Sequence, residues 1–387
     1  MRDGADWDVA IVGAGPAGAS AALAACRDPG ARVLLLDKST FPRDKACGDG
    51  IAPQAIDVIT GLGAPDPTIG FAPVHRLHLV GPRGGDVARS MRRPAHVVPR
   101  RVFDDRLVQA AAAAGAVVKQ HTVRRIERRA DMVVLDGDIT ARALVGADGV
   151  NGVVRGSLGF ASNPPRAMAI ALRGYARTPP GSAVEQYMIM SGSGWPAYAW
   201  SFPIGDGTSN VGYGSVLSAG AVSGARLREE LHRLLPDLGE LSDVRAHRLP
   251  LSTARPRQPD GRVVLAGDAA SLINPFTGEG IFYAVTSGAI AGRAALRGEQ
   301  AGGLARDALR RRLGVHLRAT TAVGHLVRSR RVVDAGIRAA ATDQAVFDDL
   351  VELGLAQGTL TGRTLARTAI QTFGRSFKGK RDIHEPQ

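Results

Sequence analysis

The chain has 387 residues, of which 44% are hydrophobic and 22% are charged. This composition is typical of a globular protein with a sizeable core and excludes a disordered or fibrous chain. Two cysteines, Cys26 and Cys47, are too few for a disulfide framework, and no apolar run reaches the roughly 18 residues that a membrane-spanning helix needs. The opening residues lead into a glycine turn rather than a cleavage site, so we expect no signal peptide. We predict a cytoplasmic protein, either soluble or bound peripherally to a membrane.

The net charge of the chain is +13, and most of the positive charge comes from arginine. The basic residues form short separate runs, namely RRIERR at 124–129, RRR at 310–312, RSRR at 328–331 and KGKR at 378–381. No aromatic residues alternate with these runs to form a stacking surface, so we expect no nucleic-acid partner. Two interpretations stay open: a solvated surface, or attraction to a phosphate-bearing cofactor, substrate or membrane.

The first elements predict a parallel strand–helix–strand unit. The apolar run DVAIVGAG ends at glycine and predicts a buried strand near 8–13. The alanine-rich run PAGASAALAAC predicts a helix with Cys26 on its buried face, and ARVLLLDK predicts a second buried strand near 32–37. Because crossovers between parallel strands are right-handed, this is a βαβ unit.

Later segments change in type along the chain. They predict a helix from 101, a strand at AVVKQHTV, a hairpin from 131, a buried strand near 144–147, short antiparallel strands over 165–215, a buried strand at 262 and a helix over 279–297. The remainder is predicted to be helical. We therefore expect three parts. A discontinuous nucleotide-binding domain comprises residues 1–72, 98–160 and 255–300. A β-rich domain comprises residues 73–97 and 161–254, and a C-terminal helical region comprises residues 301–387.

The turn after the first strand carries a G-x-G-x-x-G pattern, Gly13-Ala14-Gly15-Pro16-Ala17-Gly18. Glycines there permit a tight turn, close approach of a diphosphate and close packing of helix on strand. The helix N-terminus supplies free N–H groups for the phosphates. Asp37 ends the next strand at the spacing expected of a carboxylate that binds the adenosine ribose. Since an acid at this position repels a 2′-phosphate, we predict that FAD or NAD binds here rather than NADP.

The segment GDAASLINPFTGEGI at 267–281 favours FAD. It resembles the second flavin motif of the para-hydroxybenzoate-hydroxylase superfamily, in which a G-D turn is followed by P-x-x-G-x-G. The resemblance implies that Asp268 holds the ribityl chain or diphosphate. It also implies that the backbone of the loop at the start of the next helix meets the pyrimidine edge of the flavin. The residues implied in this motif are Gly267, Asp268, Pro275, Gly278, Glu279, Gly280 and Ile281.

Two further motifs support the resemblance. GADGVNGVVR at 146–155 is similar to the superfamily's DG motif, with Asp148 and Gly149 in place, although the family often has serine where this chain has Gly152. Arg100 matches the arginine that approaches the flavin. Asp104 and Asp105, on the helix that follows, are interpreted as ordinary surface or cap residues. The histidines show no metal-ligand spacing, so we expect no metal site.

Two segments resemble the geranylgeranyl reductase branch of this superfamily. PRDKACGDG at 42–50 is similar to its cysteine-containing loop, and WPAYAWSFPIGDGTSNVGYG at 195–214 is similar to its Y-x-W-x-F-P…N-V-G signature. Tyr198, Trp200 and Phe202 alternate along a strand and therefore share one face. We predict that they line an apolar pocket for an isoprenoid chain; packing within the domain core is the alternative.

In this branch Cys47 is expected to lie beside the flavin and to be catalytic. A thiol there can tune the flavin, donate a weak hydrogen bond or act as an acid, and nearby Arg43, Lys45 or a helix N-terminus would lower its pKa. The alternative is a small buried hydrophobic residue. Asp49 replaces the second glycine of the more typical loop. The predicted cofactor contacts of this region are Lys38, Arg43, Cys47 and Gly48.

The resemblance implies an α/β fold. A Rossmann-like FAD-binding domain of the glutathione-reductase type would carry an inserted antiparallel β-sheet substrate domain and a helical C-terminal region. The favoured function is FAD-dependent reduction of prenyl C=C bonds. The alternatives are a monooxygenase that acts on a prenylated or aromatic compound through a flavin C4a-hydroperoxide, and a non-enzymatic prenyl-chain carrier. Because the chain has no second G-x-G-x-x-G, NADPH, NADH or ferredoxin would donate electrons transiently.

Overall fold

The structure is a computed structural model that describes residues 5–192, 194–217 and 222–378, with the backbone alone over 373–378. Residues 1–4, 193, 218–221 and 379–387 lie outside the described residues. Most of the basic KGKR run and the end of the predicted C-terminal region fall in the last of these gaps.

The strands are β1 Trp7–Val12, β2 Val33–Asp37, β3 Gly50–Ile51, β4 Pro73–Val80, β5 Asp86–Val97, β6 Val117–Gln120, β7 Ile126–Arg128, β8 Val133–Leu135, β9 Ile139–Gly146, β10 Met168–Arg177, β11 Glu185–Met190, β12 Ala197–Pro203, β13 Thr208–Val216, β14 Ser242–Pro250 and β15 Val263–Leu265. The α-helices are α1 Pro16–Ala25, α2 Pro53–Gly61, α3 Arg100–Ala113, α4 Val153–Ser157, α5 Gly224–Leu234, α6 Ile281–Ala295, α7 Ala301–Leu326, α8 Arg330–Thr342, α9 Gln344–Leu355 and α10 Gly362–Lys378.

The first sheet has the strand order β6-β2-β1-β9-β8-β7, with β15 paired to β9. β1 pairs in parallel with β2 and β9, as expected of a crossover through α1. Its central residues are fully buried because helices cover the sheet, and an uninterrupted apolar run is the pattern of a strand buried on both faces. The glycine turn after β1 is thereby fixed at the carboxyl edge of a parallel sheet.

The second sheet has the order β14-β10-β13-β12-β11-β4-β5-β3. Most neighbours pair antiparallel, as the short strands over 165–215 predict, but β11 and β4 run parallel. The sheet combines strands from 73–97 with strands from 168–250, and β3 adds the end of the cysteine-containing loop. The domain boundaries themselves stay a prediction.

The C-terminal helices pack on the β4–β5 hairpin. A separate apolar cluster joins Leu79 and Val87 of the hairpin to Ile337 of α8 and Phe347 of α9. Buried Asp334 of α8 accepts the backbone N–H of Gly85 at 2.8 Å. The helical C-terminal region is thus attached to the second sheet. Within the described part of the chain, no helix is both long and apolar enough to cross a membrane.

Helices α1 and α6 pack with their backbones almost in contact. A Cβ placed on Gly292 would lie 2.0 Å from the carbonyl oxygen of Ala21, and one on Gly288 would lie 2.1 Å from that of Ala17. Small residues on both helices permit this approach. The first turn of α1 is therefore held in a fixed position relative to α6.

We predict that Gly292→Ala lowers the free energy of unfolding by about 1–3 kcal/mol, because the added methyl group must separate the two helices. Gly314→Ala on α7 is the control, since its Cβ would meet only the flexible side chains of Arg310, at 3.5 Å, and Arg318, at 4.0 Å. That variant should gain up to about 1 kcal/mol in helix propensity. Urea unfolding of both proteins measures the difference, and equal stability of the two variants would contradict the packing described.

Candidate active site

In the glycine turn after β1, only the middle one of the three glycines faces free space where a Cβ would lie. Gly13 has a φ of 98°, and a Cβ on it would lie 2.3 Å from the Ala147 carbonyl oxygen. A Cβ on Gly18 would lie 1.7 Å from the carbonyl oxygen of Gly13. The corresponding atom on Gly15 would meet only the Arg43 guanidinium, at 3.5 Å. The middle glycine therefore faces a space bordered by the α1 N-terminus and an arginine, which fits a diphosphate.

Asp37 lies against this turn at the end of β2. Its Oδ2 accepts the backbone N–H of Ala14 at 2.7 Å, and its Oδ1 accepts that of Ser39 at 2.9 Å. The structure thus brings the predicted carboxylate to the predicted glycine turn. The next residue, Lys38, is exposed. Contacts of either side chain with the cofactor stay predictions.

The interpretation of Asp104 as a surface residue is wrong. Its carboxylate is fully buried and accepts hydrogen bonds from Arg100 Nε at 2.6 Å and Nη2 at 2.7 Å. Arg43 Nη1 lies 2.9 Å from Asp104 Oδ2. The i,i+4 spacing places Arg100 and Asp104 on one helix face, and that face points inward. Asp104 therefore pairs with both arginines predicted to contact the cofactor and leaves the trio with one net positive charge.

The environment of Cys47 differs from the prediction. Burial raises the pKa of its thiol, although Arg100 and the backbone N–H of Asp49 favour the thiolate. Arg43 pairs with Asp104, and Lys45 Nζ lies 3.3 Å from Asp268 Oδ2. The expectation of a lowered pKa is therefore wrong, because burial outweighs the nearby positive charge. Cys47 is a protonated thiol at neutral pH.

Asp49, which follows Gly48, occupies a position where the typical loop has glycine, and the structure accommodates it there. Asp49 has a φ of 58°, a left-handed conformation that glycine adopts freely and that aspartate tolerates better than most residues. Its carboxyl is buried, and its Oδ2 accepts Tyr175 Oη at 2.7 Å and Asn210 Nδ2 at 2.7 Å. Asn210 Nδ2 also donates to the Cys47 carbonyl at 2.9 Å, and Asn210 Oδ1 accepts Trp200 Nε1 at 2.8 Å. The loop is thereby attached to the aromatic strand.

The geometry of the DG motif leaves no space for a side chain at position 152, where this chain has glycine. Asp148 Oδ2 accepts the N–H of Val154 at 2.9 Å, at the start of α4. A Cβ on Gly152 would lie 2.1 Å from the Asp148 carboxyl carbon. The serine found in many family members therefore has no room in this arrangement. Gly149 has a φ of 81° and completes the turn.

The segment 267–281 forms a loop that ends at α6. Gly267 packs against Ala17 of α1 and begins the loop, while Pro275, Gly278 and Gly280 lead to Ile281, the first residue of α6. Glu279 Oε1 accepts the N–H of Phe282 at 2.8 Å. Burial raises the pKa of Glu279 to about 7.

Asp268 remains ionised within this loop. Burial alone would raise its pKa, but Lys45, His247 and Arg100 together outweigh burial, and the pKa lies below its ordinary value. Asp268 is therefore a paired carboxylate beside the open space of the site. Among the residues described, no cluster of three or more His, Cys, Asp or Glu side chains is placed to hold a metal ion.

A cavity of about 530 Å³ begins at these loops and extends between the second sheet and the C-terminal helices. Cys47, Gly48, Arg100, Asp268 and Glu279 lie at one end. Tyr198, Trp200 and Phe202 of β12 also line it, with ring centroids 5.9 and 6.4 Å apart in order along the strand. The remainder is mainly apolar, and the C-terminal helices contribute Val323, Val333, Ile337, Leu350, Leu365 and Ala369 to it.

Comparison with known proteins agrees with this geometry. Residues 6–186 match the family described as FAD binding domain. The chain is 34% identical over 309 residues to the menaquinone reductase of Mycolicibacterium smegmatis, covering 73% of this chain and 75% of the relative. It is 30% identical over 314 residues to digeranylgeranylglycerophospholipid reductase 2 of Methanopyrus kandleri, covering 75% and 77%. The chain belongs to the geranylgeranyl reductase family of FAD-dependent oxidoreductases.

Solved structures show the same fold over nearly the whole chain. A geranylgeranyl bacteriochlorophyll reductase-like protein of Thermoplasma acidophilum superimposes with a TM-score of 0.77 at 19% identity, covering 98% of this chain and 99% of that chain. The flavin-dependent brominase Bmp2 superimposes with a TM-score of 0.68 at 18% identity, covering 96% and 99%. These similarities establish the α/β fold with its FAD-binding domain, its second sheet and its C-terminal helices.

In this reductase-family chain, the C-terminal helices support the loop before α6, a role that the sequence patterns do not reveal. His316 Nδ1 lies 2.6 Å from the Gly358 carbonyl and must donate to it, so Nε2 accepts the Tyr283 hydroxyl at 2.6 Å. Tyr283 in turn accepts Asn274 Nδ2 at 3.0 Å. Thr277 Oγ1 donates to the Gly354 carbonyl at 2.6 Å. These buried bonds fix the loop from the side opposite the flavin-binding sheet.

The open position at Gly15 generates a prediction about the cofactor. Gly15→Ala should fold normally, because its Cβ has room within the protein, but should retain less FAD, because the methyl group enters the space assigned to the diphosphate. The flavin-to-protein ratio after purification and the melting temperature without flavin measure the two effects. Gly224→Ala, whose Cβ would meet nothing within 4 Å, is the control. Full flavin content in Gly15→Ala would show that the diphosphate lies elsewhere.

Proposed function

We propose that the protein reduces C=C bonds of an isoprenoid lipid with FAD, and the cavity is the observation that carries the proposal. Its charged and titratable lining residues, including Arg100, Asp268 and Glu279, lie at the end formed by the cofactor-binding loops. The lining supplied by α7 to α10 is apolar or bears only threonine hydroxyls. A long uncharged chain would bury its surface at this second end, with a reacting bond placed at the first.

The proposed FAD site combines the open turn with the loop before α6. The α1 N-terminus and Arg43 bind the diphosphate, and Asp37 accepts hydrogen bonds from the ribose. The backbone at 278–280 borders the flavin ring, because Gly278 has a φ of 73° and leaves no side chain there. When bound, FAD supplies hydride chemistry. Further proposed contacts are Gly13, Pro16, Ala17, Gly18, Lys38, Gly48, Arg100, Asp148, Gly149, Gly267, Asp268, Pro275 and Ile281.

Cys47 is the proposed proton donor. Its raised pKa keeps the thiol protonated at neutral pH, which suits an acid rather than a nucleophile. The Tyr198 hydroxyl already donates to the Thr277 carbonyl. The Glu279 carboxylate caps α6 through the N–H of Phe282. The thiol differs from both: it does not donate its proton within the fold as Tyr198 does, and it is fully protonated at neutral pH, whereas Glu279, with a pKa of about 7, is only partly protonated there.

The two sequence relatives are named for menaquinone and for digeranylgeranylglycerophospholipid. Both names fit the proposal that the substrate is an isoprenoid lipid. We further propose that NADPH, NADH or ferredoxin reduces FAD transiently, since no second G-x-G-x-x-G turn is present. Monooxygenase activity and non-enzymatic binding of a prenyl chain are the two alternatives that the experiment must distinguish from this reaction.

The test of the proposed reaction uses protein whose flavin has been reduced without oxygen. Addition of a prenylated quinone or a geranylgeranyl lipid should restore the spectrum of oxidised flavin. Cys47→Ala should bind FAD but slow this step about 10²–10⁴-fold, because a general acid is lost. Cys47→Ser should recover part of the rate, since a hydroxyl also donates a hydrogen bond. Reoxidation only on admission of air would favour the monooxygenase, and a colourless protein would favour the carrier.

The far end of the cavity generates a separate prediction about chain length. Gly336 of α8 lines the cavity, and the atom nearest to a Cβ on it would be Thr368 Oγ1 at 4.0 Å. Gly336→Leu should therefore fold and place its side chain in the path of a long chain. We expect KM to rise at least about tenfold for a geranylgeranyl substrate and little for a geranyl one, as lost apolar contact accumulates along the chain. Equal effects on both substrates would contradict this position for the chain.

A further inference from the structure

The buried carboxyl of Asp49 is not accounted for by the fold. Glycine would satisfy the left-handed backbone at this position, yet the chain places a fully buried acid there, at the wall of the cavity. Both of its hydrogen bonds, from Tyr175 and Asn210, reach Oδ2. Among the described residues Oδ1 is buried without a hydrogen-bond partner. An unsatisfied buried oxygen is destabilising, so a functional reason for the acid is required.

The charges around Cys47 supply that reason. The Arg100 guanidinium hydrogen-bonds the sulfur from α3 and favours the thiolate. The Asp49 carboxyl follows two residues later in the loop. Burial raises its pKa to about 6, so it is mostly ionised at neutral pH, and its negative charge opposes thiolate formation. Asn210 connects the two loop residues, since one amide nitrogen donates to the Cys47 carbonyl and to the Asp49 carboxylate. The thiol therefore lies between one cation and one anion.

We propose that Asp49 is the positioning residue that acts together with burial to keep the Cys47 thiol protonated against the charge of Arg100. The proposal rests on the proposed function, in which Cys47 donates a proton. In that step the Cys47 thiol would give its proton to one carbon of the double bond and become a thiolate, and bound FAD would supply the hydride for the other carbon. The carboxylate raises the energy of that thiolate. It thereby makes the thiol a weaker acid toward carbon, but it keeps the thiol protonated before turnover and favours recovery of a proton from water afterwards.

The other ionisable groups around this pair are largely compensated within the fold. Arg173 of β10 lies behind Asp49, and its Nη2 donates to Asp44 Oδ1 at 2.6 Å. Lys45 pairs with Asp268, beside His247 of β14, whose pKa burial lowers to about 4. Three further groups, Tyr175, Tyr198 and Glu279, complete the surroundings, and burial raises the pKa of each, which favours the neutral form. Arg100 and Asp49 therefore remain as the two charged side chains that act on the thiol, in opposite directions.

Alkylation by iodoacetamide tests the proposal without reference to catalysis, because only the thiolate reacts. Cys26→Ala is the parent, so that Cys47 is the single thiol of the flavin-loaded protein. The rate of Cys47 modification is measured by mass spectrometry from pH 6 to 10. The pH at which this rate is half of its maximum is the midpoint of the thiol's titration. Asp49→Asn keeps the shape and tolerates the left-handed backbone. It should move the midpoint down by about one pH unit and speed modification at pH 7 about three- to tenfold.

Asp105→Asn is the matched control, since it removes a carboxylate of α3, outside the loop, whose Oδ2 accepts Gln109 Nε2 at 2.7 Å. Its midpoint should equal that of the parent. If Asp49→Asn fails to retain flavin, Asp49→Gly removes the same charge with the residue of the typical loop. An unchanged or raised midpoint would overturn the proposal, as would a Cys47 that stays unreactive in both parent and variant. A shifted midpoint without any prenyl reduction would leave this inference standing and reject the proposed function.

Discussion

Everything in this active site depends on how the loop before α6 is held. Its backbone begins the helix that packs against α1, and its other side is bonded to the C-terminal helices through Asn274, Tyr283 and His316. Burial lowers the pKa of His316, so the neutral ring can accept the tyrosine hydroxyl while donating to Gly358. One loop therefore belongs both to the proposed cofactor site and to the wall of the cavity. A cofactor bound on one side has a fixed position relative to a substrate on the other.

Charge compensation at the flavin end follows from burial. Arg43 and Arg100 share the buried Asp104, and Lys45 pairs with Asp268. These pairs leave an arrangement of low net charge at the start of an apolar cavity, where an unpaired ion would be strongly unfavourable. Cys47 lies within this arrangement as a neutral thiol. The same burial that raises its pKa makes it suitable as an acid.

Local patterns predicted the parts of the site that chain neighbours determine. Three parts of the site lie at or directly after strand ends, namely the glycine turn, Asp37 and the loop over 267–281. The sequence pattern predicts where buried strands end. Tyr198 and Phe202 share a face because a strand has a period of two. The burial of Asp104 was missed although its i,i+4 spacing from Arg100 was a signal. The distal lining was missed because α7 to α10 contact the β4–β5 hairpin across long sequence separations, which no local pattern encodes.

The proposed reaction is tested most directly by the mass of its product. Protein with pre-reduced flavin is mixed without oxygen with one equivalent of a lipid that carries a geranylgeranyl chain, and the extracted lipid is analysed. The account predicts a product heavier by two hydrogen atoms per reduced bond. Unchanged lipid without oxygen, together with a product that contains an added oxygen atom in air, would contradict it.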